Sequence, residues 1–297
     1  MIKAIMYHYV QKPDRHYPGL KFLHEKSFIR QLDFLEKKFG FIKRQDWLDS
    51  LDSKSQNKNL RGVILTFDDG LACHYDTVYQ ILRKKNLWGI FYIPCKPYLN
   101  NEVLDVHKIH ILISKFEIEK LLKFAEDIID ESMILTSKIE EFKSNTYQKQ
   151  NNQKSITDFK RLLNYFIKEK HKSNIINEIA ISLGMKNFSK QYYLNIKSIQ
   201  EMHKNNMIIG SHSVNHPLMS KLNFNEQKKE IDCSIDFLKT IINYDHKTYC
   251  HPYGGRISYN EDTFKVLNEK GVRYAFSVEN RDITYKDLHL NFYALPR

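Results

Sequence analysis

Two adjacent aspartates directly after a hydrophobic run are the first residues of this chain whose types and spacing could do chemistry. Residues 63–67 are rich in β-branched and aromatic side chains and predict a buried strand, which Asp68, Asp69 and Gly70 follow. Because neighbouring side chains at a strand end point to different sides, one carboxylate can bind a metal while the other faces a substrate. Taken alone, the pair is also typical of an ordinary polar turn, since Asp-Gly is common in turns.

A pair of histidines four residues apart provides the second candidate group. His212 and His216 follow a predicted strand at 207–209, and their spacing would place both imidazoles on one side of a helical turn. That turn must end at once, because Pro217 disfavours helix at the residue before it. Two neutral imidazoles and one carboxylate make a three-ligand metal site with an open position for water. Two surface histidines are the alternative interpretation of this spacing.

Two weaker signals also follow predicted strands. Tyr253 lies in a Pro-Tyr-Gly turn, which can aim a backbone N–H at a developing oxyanion. His8 lies at the end of the first apolar run, residues 3–7. Either feature alone is more typical of a loop or of a structural histidine. Chance would rarely place the Asp-Asp pair, the histidine pair and this turn at three predicted strand ends.

Strands that alternate with helices are the elements that must position these groups. Short apolar runs alternate with segments of helical periodicity over residues 1–97 and again over 196–297, which is typical of parallel βα units. Functional side chains in such folds lie at the carboxyl ends of the strands. The intervening stretch contains no glycine between Gly89 and Gly184 and shows helical stripes, so we predict a helical insertion at about 98–195.

Together, these segments resemble the motifs of the polysaccharide deacetylases, the NodB-homology or carbohydrate esterase family 4 group. The matching segments are Thr66-Phe67-Asp68-Asp69-Gly70, His212-Ser213-Val214-Asn215-His216-Pro217 and Pro252-Tyr253-Gly254. The resemblance covers the two βα blocks and leaves the insertion unexplained. It implies an α/β fold, a distorted (β/α)7 barrel, with residues 1–297 forming one deacetylase domain around the insertion.

The resemblance also implies a role for each matched residue. One divalent metal, usually zinc, would be bound by Asp69, His212 and His216. Asp68 would be the general base, and the backbone amide of Tyr253 would help to hold the oxyanion. The expected activity is the removal of N-acetyl groups from an amino-sugar glycan or a glycan precursor.

The general acid is the point at which subgroups of this family differ. Most members carry it in a late Leu-His motif, to which Leu288-His289 is superficially similar. In a permuted subgroup that resembles the poly-N-acetylglucosamine deacetylases, an N-terminal Tyr-His segment supplies the acid instead. Tyr7-His8 fits that arrangement, so His8 is the predicted general acid.

The partner of the base departs from the family pattern. Family members often have an arginine two residues before the proline of the Pro-Tyr-Gly motif, where it pairs with the base. Cys250 stands at that position in this chain. Arg297 and Arg281 are the candidates to replace the missing arginine.

Two further histidines, His107 and His110, lie three residues apart near the start of the predicted insertion. They could form a second metal site, but we expect them to be ordinary helix surface. The insertion itself could be a lid or wall of the cleft, a dimer surface or a decoration of the fold. The sequence leaves these alternatives open, together with the oligomeric state.

Bulk composition bounds the remaining function classes. The net charge is +11, but the lysines are spread along the chain as on solvated helix faces, so no nucleic-acid partner is predicted. The four cysteines form no Cys-x-x-Cys pair, which argues against a cysteine-rich zinc site or a redox motif. Without a long apolar run, the chain is expected to have no transmembrane segment and no signal peptide, and to be cytoplasmic.

Two rival functions fit the same residues. One is another hydrolase on this scaffold that cleaves formyl groups or small cyclic amides. The other is a catalytically silent glycan-binding protein, against which the intact Asp68-Asp69 pair argues, because binding alone requires no base beside a metal ligand.

Overall fold

A curled sheet of six parallel strands forms the centre of the molecule. The computed structural model describes residues 1–52, 60–148, 150–185 and 190–297. Its strands are β1 (Ile2–Tyr7), β2 (Val10–Gln11), β3 (Leu23–His24), β4 (Gly62–Phe67), β5 (Ile90–Ile93), β6 (Ile208–Ser211), β7 (Thr248–Cys250) and β8 (Tyr274–Phe276). The main sheet has the order β1-β4-β5-β6-β7-β8, and β2 pairs with β3 separately. The predicted α/β, barrel-like architecture is therefore confirmed.

The sheet is a half-barrel, and the described residues supply six strands where the predicted (β/α)7 barrel has seven. The last segment of the chain closes part of the gap through two isolated bridges. Ile283 pairs antiparallel with Ile2 at one edge of the sheet, and Leu295 pairs parallel with Phe276 at the other. Because the residues between these bridges fold as helices, a continuous seventh strand does not form there.

Helices surround this sheet. The described α-helices are α1 (Glu25–Phe39), α2 (Arg44–Ser50), α3 (Gln80–Lys84), α4 (Lys96–Leu99), α5 (Asp105–Lys115), α6 (Ile118–Ile128), α7 (Ile139–Asn145), α8 (Lys154–Arg161), α9 (Glu169–Ser182), α10 (Ile196–Lys204), α11 (Phe224–Ile241), α12 (Glu261–Glu269) and α13 (Tyr285–Leu290). π-Helical turns at His74–Tyr79 and Leu162–Phe166 precede α3 and follow α8. Among the described residues, no helix has the length and apolar character needed to span a lipid bilayer.

The α1 helix shows how the sequence builds the outer layer. Phe28, Leu32 and Leu35 recur at helical spacing and are buried in one cluster with residues of β4. Burying each of these side chains contributes roughly 1.5–3 kcal/mol. The helix ends at Gly40, whose φ of 71° is readily adopted only by glycine. The periodicity predicted this helix and its end.

The alternation along β4 determines which residues face the inside of the curled sheet. Leu65 and Phe67 pack toward α1, whereas Ile64 belongs to a second cluster with Trp47. All six residues of the strand are buried, as expected for a parallel strand covered on both faces. Side chains two residues apart share a face of the strand, so Asp68 lies on the same face as Ile64. This places its carboxylate in the interior at the carboxyl end of the strand.

The helices α4 to α9 lie between β5 and β6 and have a hydrophobic cluster of their own. The fully buried members Ile109, Leu121, Phe159, Leu163 and Ile176 come from α5, α6, α8, the following π-helical turn and α9. This is the stretch in which helical stripes were predicted. A separate cluster allows the insertion to fold as a layer of its own beside the sheet.

Candidate active site

Three of the predicted ligands converge beyond the carboxyl ends of β4 and β6. Asp69 follows β4, and His212 and His216 follow β6; all three residues are buried. One ligand atom from each lies within 4.8 Å of the other two. The Nε2 atom of His212 is 3.4 Å, and that of His216 3.7 Å, from Asp69 Oδ1.

The histidines reach this point from an irregular loop, and the helical turn expected from their spacing does not form. Ser213 and His216 adopt positive φ values of 62° and 57°, which break any helix. The loop is held by local hydrogen bonds instead. The His216 N–H donates to Ser213 Oγ over 3.0 Å, and Glu230 accepts from the N–H groups of Val214 and Asn215.

Hydrogen bonds orient these groups as metal ligands. His212 Nδ1 lies 2.8 Å from the backbone carbonyl oxygen of Cys250. A carbonyl only accepts, so Nδ1 carries the hydrogen, and the lone pair of Nε2 in the neutral ring faces Asp69. Asp69 Oδ1 is buried without a hydrogen-bond partner among the described residues. One buried carboxylate oxygen and two imidazoles are a donor set that suits a catalytic divalent metal.

Protonation in this cluster follows from burial and the neighbouring groups. Burial raises the pKa of Asp69, but His107 and His212 lower it, and the result is a pKa well below the usual range. Burial lowers the pKa of His216 well below its usual range. For His212, burial lowers the pKa, whereas Cys250 and Asp69 raise it well above the usual value. A metal would bind His212 in its neutral form.

Asp68 lies beside the ligand cluster but is bound by a different partner. Arg297 Nη1 donates to Asp68 Oδ1 over 2.8 Å, and Nη2 donates to Oδ2, with the arginine side chain only 1% exposed. Burial raises the pKa of Asp68, but the charge and hydrogen bonds of Arg297 lower it, and the net pKa is below the usual range. Asp68 is thus held ionised in one orientation, as a bidentate guanidinium allows.

Arg297 takes the place of the arginine that the family motif would put at residue 250. Its Nη2 also donates to Cys250 Sγ over 2.8 Å, so the smaller cysteine leaves room for a guanidinium from elsewhere in the chain. Arg281, the other candidate, pairs with Asp287 and Glu279.

A second cluster of potential ligands, Asp68, His212 and Cys250, does not suit a metal ion. Both carboxylate oxygens of Asp68 already accept from Arg297, and a guanidinium repels a second cation at this distance. The better candidate for a metal site is therefore the cluster that includes Asp69.

We predict that Arg297→Met destabilises the protein by about 3–5 kcal/mol, because it leaves the buried Asp68 carboxylate without its partner. The free energy of unfolding from chemical denaturation measures this. Arg83→Met is the matched control, since Arg83 is 52% exposed and lies 4.0 Å from a half-exposed Glu201. The control should cost less than about 1 kcal/mol. An equally small decrease in the free energy of unfolding in both variants would contradict a buried ion pair between Arg297 and Asp68.

His8 lies near the Oδ2 atoms of both aspartates, whereas His212 and His216 face Asp69 Oδ1. Its Nε2 is 4.0 Å from Asp68 Oδ2 and 3.8 Å from Asp69 Oδ2, and its side chain is 38% exposed. His289, the alternative acid, packs against Tyr285 at 4.2 Å between ring centroids and does not line the cavity over the site. The geometry favours His8 over His289 as a group that can reach a substrate.

Tyr253 follows β7 in a turn with a φ of 61°. Its ring packs 4.9 Å from that of His216, and its hydroxyl donates to Asn164 Oδ1 and accepts from the Lys172 ammonium, each over 2.9 Å. None of the described hydrogen bonds uses its backbone N–H as a donor. The amide is thus available to a substrate oxygen near the cluster.

A cavity of about 490 Å³ opens onto these residues. The ligand residues, Asp68, His8 and Arg297 form its base. The helical insertion contributes a wall that includes Val106, His110, Tyr147, Lys160 and Tyr165. Among the roles left open by the sequence, the structure favours a wall of the cleft.

His107 is a residue of the site that sequence reasoning missed, and the expectation of ordinary helix surface was wrong. It is fully buried, and its Nε2 lies 3.1 Å from Asp69 Oδ2. His110 is partly buried, with its Nδ1 3.0 Å from the hydroxyl of Tyr9. Their spacing was visible in the sequence, but only tertiary packing turns α5 toward Asp69.

Comparison with known proteins relates part of this chain and its fold to the polysaccharide deacetylases. A family model for the polysaccharide deacetylases matches residues 168–275, which include both ligand histidines and Tyr253. The resemblance drawn from the motifs is therefore confirmed. No curated protein sequence matches the chain at a significant level.

Several solved deacetylase structures share this fold. A deacetylase of Streptococcus pyogenes, PplD, in complex with acetate, superposes with a TM-score of 0.59 at 15% identity, covering 100% of this chain and 90% of its own. A de-N-acetylase from Aggregatibacter actinomycetemcomitans gives 0.57 at 14% identity, with 100% and 93% covered. IcaB from Ammonifex degensii gives 0.53 at 14% identity, with 93% and 83% covered. At such identities the likeness establishes the fold.

Proposed function

We propose that this protein is a metal-dependent hydrolase that removes N-acetyl groups from an amino-sugar glycan or a glycan precursor. The observation that carries the proposal is the pair of adjacent carboxylates with different partners: Asp69 faces two histidines, while Asp68 is held by Arg297. The family match supports an N-acetylated glycan as the substrate class. We also propose that residues 1–297 act as one deacetylase domain, with the insertion at about 98–195 as part of its cleft.

The proposed metal ligands are Asp69, His212 and His216, and Zn²⁺ is the proposed ion because it favours such mixed nitrogen and oxygen sets. When bound, the metal supplies Lewis-acid polarisation of the scissile amide carbonyl. The buried surroundings of the cluster exclude competing water and strengthen electrostatic interactions with the substrate.

Asp68 is the proposed general base. A carboxylate oxygen has more than one lone pair, so Asp68 can accept a proton from the attacking water while it stays bonded to Arg297. The low pKa of Asp68 keeps it ionised and ready to accept. The water oxygen then forms a bond to the carbonyl carbon, and the amide oxygen takes up negative charge near the N–H of Tyr253.

His8 is the proposed general acid. Its imidazolium would donate a proton to the amide nitrogen as the C–N bond breaks, because an unprotonated amine is a poor leaving group. The partly exposed position of His8 allows it to recover a proton from solvent. The products are acetate and a free amino sugar.

Replacing His8 by Gln is predicted to lower kcat by about 10²-fold, near the lower end for general acid catalysis, because water can partly replace an exposed acid. His289→Gln serves as the control, since His289 contacts Tyr285 and not the cavity. Steady-state kinetics on a chromogenic or oligosaccharide substrate would measure both. If His289→Gln were the slower variant, the acid assignment to His8 would be wrong.

The direct test is to incubate the metal-loaded protein with N-acetylated chito-oligomers and to quantify acetate and new amines. Equal amounts of the two products are expected. Formate from N-formyl substrates without acetate would support a deformylase, and ring opening of cyclic amides would support the other rival hydrolase. Saturable binding of the oligomers without any product would support a glycan-binding protein.

A further inference from the structure

We propose that the helical insertion is an integral part of the metal site, because His107 and Tyr193, from its two ends, fix the carboxylate of Asp69. This inference rests on the proposed metal site at Asp69, His212 and His216. His107 is assigned as a positioning residue, which acts on a metal ligand and touches neither substrate nor metal.

The geometry around His107 defines one consistent arrangement of hydrogens. Its Nδ1 lies 2.6 Å from the hydroxyl oxygen of Tyr193, and the backbone N–H of Leu104 donates to that oxygen over 3.0 Å. Since the ionised carboxylate of Asp69 only accepts, His107 Nε2 carries a hydrogen and donates to Asp69 Oδ2 over 3.1 Å. Nδ1 of the neutral ring is then bare and accepts the hydroxyl hydrogen of Tyr193.

The two oxygens of Asp69 are therefore not equivalent. Oδ2 accepts from His107, whereas Oδ1 is buried without a hydrogen-bond partner among the described residues and faces His212 and His216. The bond to His107 prevents the carboxylate from rotating about its terminal torsion. In metal sites generally, hydrogen-bond partners of this kind orient the ligand carboxylates toward the ion.

The backbone near Asp69 is anchored by the same insertion. Asp69 has a φ of 78°, a conformation that a residue with a side chain adopts only when its surroundings impose it. Directly after it, the Leu194 N–H donates to the Gly70 carbonyl over 2.9 Å, and Leu71 forms an antiparallel bridge with Tyr193. The returning end of the insertion thus holds the turn that presents Asp69.

The two contacts come from opposite ends of the insertion. His107 lies on α5, near its start, and Tyr193 lies at its end, so the two ends meet beside a single metal ligand. The conformation of the insertion and the orientation of the Asp69 carboxylate are then coupled. By reciprocity, a metal bound at Asp69 must stabilise the insertion as much as the insertion favours metal binding.

The test measures the Zn²⁺ dissociation constant of the full chain by competition with a chromogenic chelator. His107→Leu should weaken binding by about 10–100-fold, the range found when such supporting residues are lost. His107→Gln keeps an N–H donor near the position of Nε2 and should restore part of the affinity. Tyr193→Phe removes only the hydroxyl that orients His107, and should weaken binding by less than His107→Leu.

His110→Leu is the matched control, because His110 lies on the same helix but hydrogen-bonds to Tyr9 and not to Asp69. It should leave the dissociation constant unchanged. A merely structural His107 would lower the stability of the metal-free protein and leave zinc affinity as it was. Zinc should also slow amide hydrogen exchange in α5 of the wild-type chain, and should do so less in His107→Leu.

Wild-type affinity in both His107→Leu and Tyr193→Phe would overturn the inference, and Tyr193→Phe provides this answer even if the leucine variant fails to fold. A wild-type chain that binds no zinc would overturn it as well. Zinc binding that depends on His107 without release of acetate would instead support this inference and count against the proposed function.

Discussion

Asp68→Asn is expected to retain one bound metal ion and to lose about 10²–10⁴-fold in kcat, the range that a general base contributes. The amide of asparagine keeps the shape of the side chain but cannot accept the proton of the attacking water. Metal content should persist because the ligand atoms belong to Asp69, His212 and His216. Metal analysis and turnover on the same purified sample measure both effects.

The buried guanidinium of Arg297 makes a stability control necessary for this variant. Asp68→Asn removes the carboxylate that pairs with Arg297, although Arg297 keeps hydrogen bonds to Thr66 Oγ1 and the Ser277 carbonyl. Circular dichroism and a denaturation curve would establish that the variant is folded at the assay temperature. Full turnover in a folded Asp68→Asn protein would show that the base has been assigned wrongly.

His212→Ala is expected to abolish metal binding and activity together. The substitution removes one of three ligands and the Nδ1–H bond to the Cys250 carbonyl that orients it. Two remaining ligands hold a divalent ion weakly, since structural and catalytic zinc sites use at least three protein ligands. Metal content after dialysis and acetate release from N-acetylated oligomers measure the two losses.

His251→Ala is the matched control for this variant. His251 is also buried, and its Nε2 also lies within hydrogen-bond distance of a backbone carbonyl, that of Tyr293 at 2.7 Å. It is not one of the ligands in the cluster with Asp69. The His251→Ala variant should therefore keep its metal, although it loses one buried imidazole ring just as His212→Ala does. Stoichiometric metal in His212→Ala would remove the basis of the proposed function.

Residue 250 is a cysteine where the motif resemblance would place an arginine, and Asp68 has a different arginine as its partner. The sequence shows Cys250 and two candidate arginines, and nothing local distinguishes them. In the structure, Arg297 forms the bidentate pair with Asp68, and Arg281 is occupied by Asp287. The choice depends on the bridge of Leu295 to Phe276, which aligns the end of the chain with β8, from where the Arg297 side chain reaches Asp68.

Local patterns of the sequence determined most of the elements and predicted the candidate ligands. The strand before Asp68 and the helix ending at Gly40 follow from short-range rules, because side-chain periodicity and glycine geometry act within a few residues. The Asp-Asp and His-x-x-x-His motifs also predicted the candidate ligands, since each motif lies at a strand end that the βα pattern predicts. The helical insertion was visible from its stripes for the same reason.

Only the tertiary structure decided how these groups are supported. The pair of Arg297 with Asp68 joins residues 229 positions apart, and His107 reaches Asp69 across 38. The direction in which α5 faces, and the number of strands that close the sheet, depend on how separate layers pack. Such contacts arise from the complementarity of surfaces distant in sequence, and no periodicity along the chain encodes them.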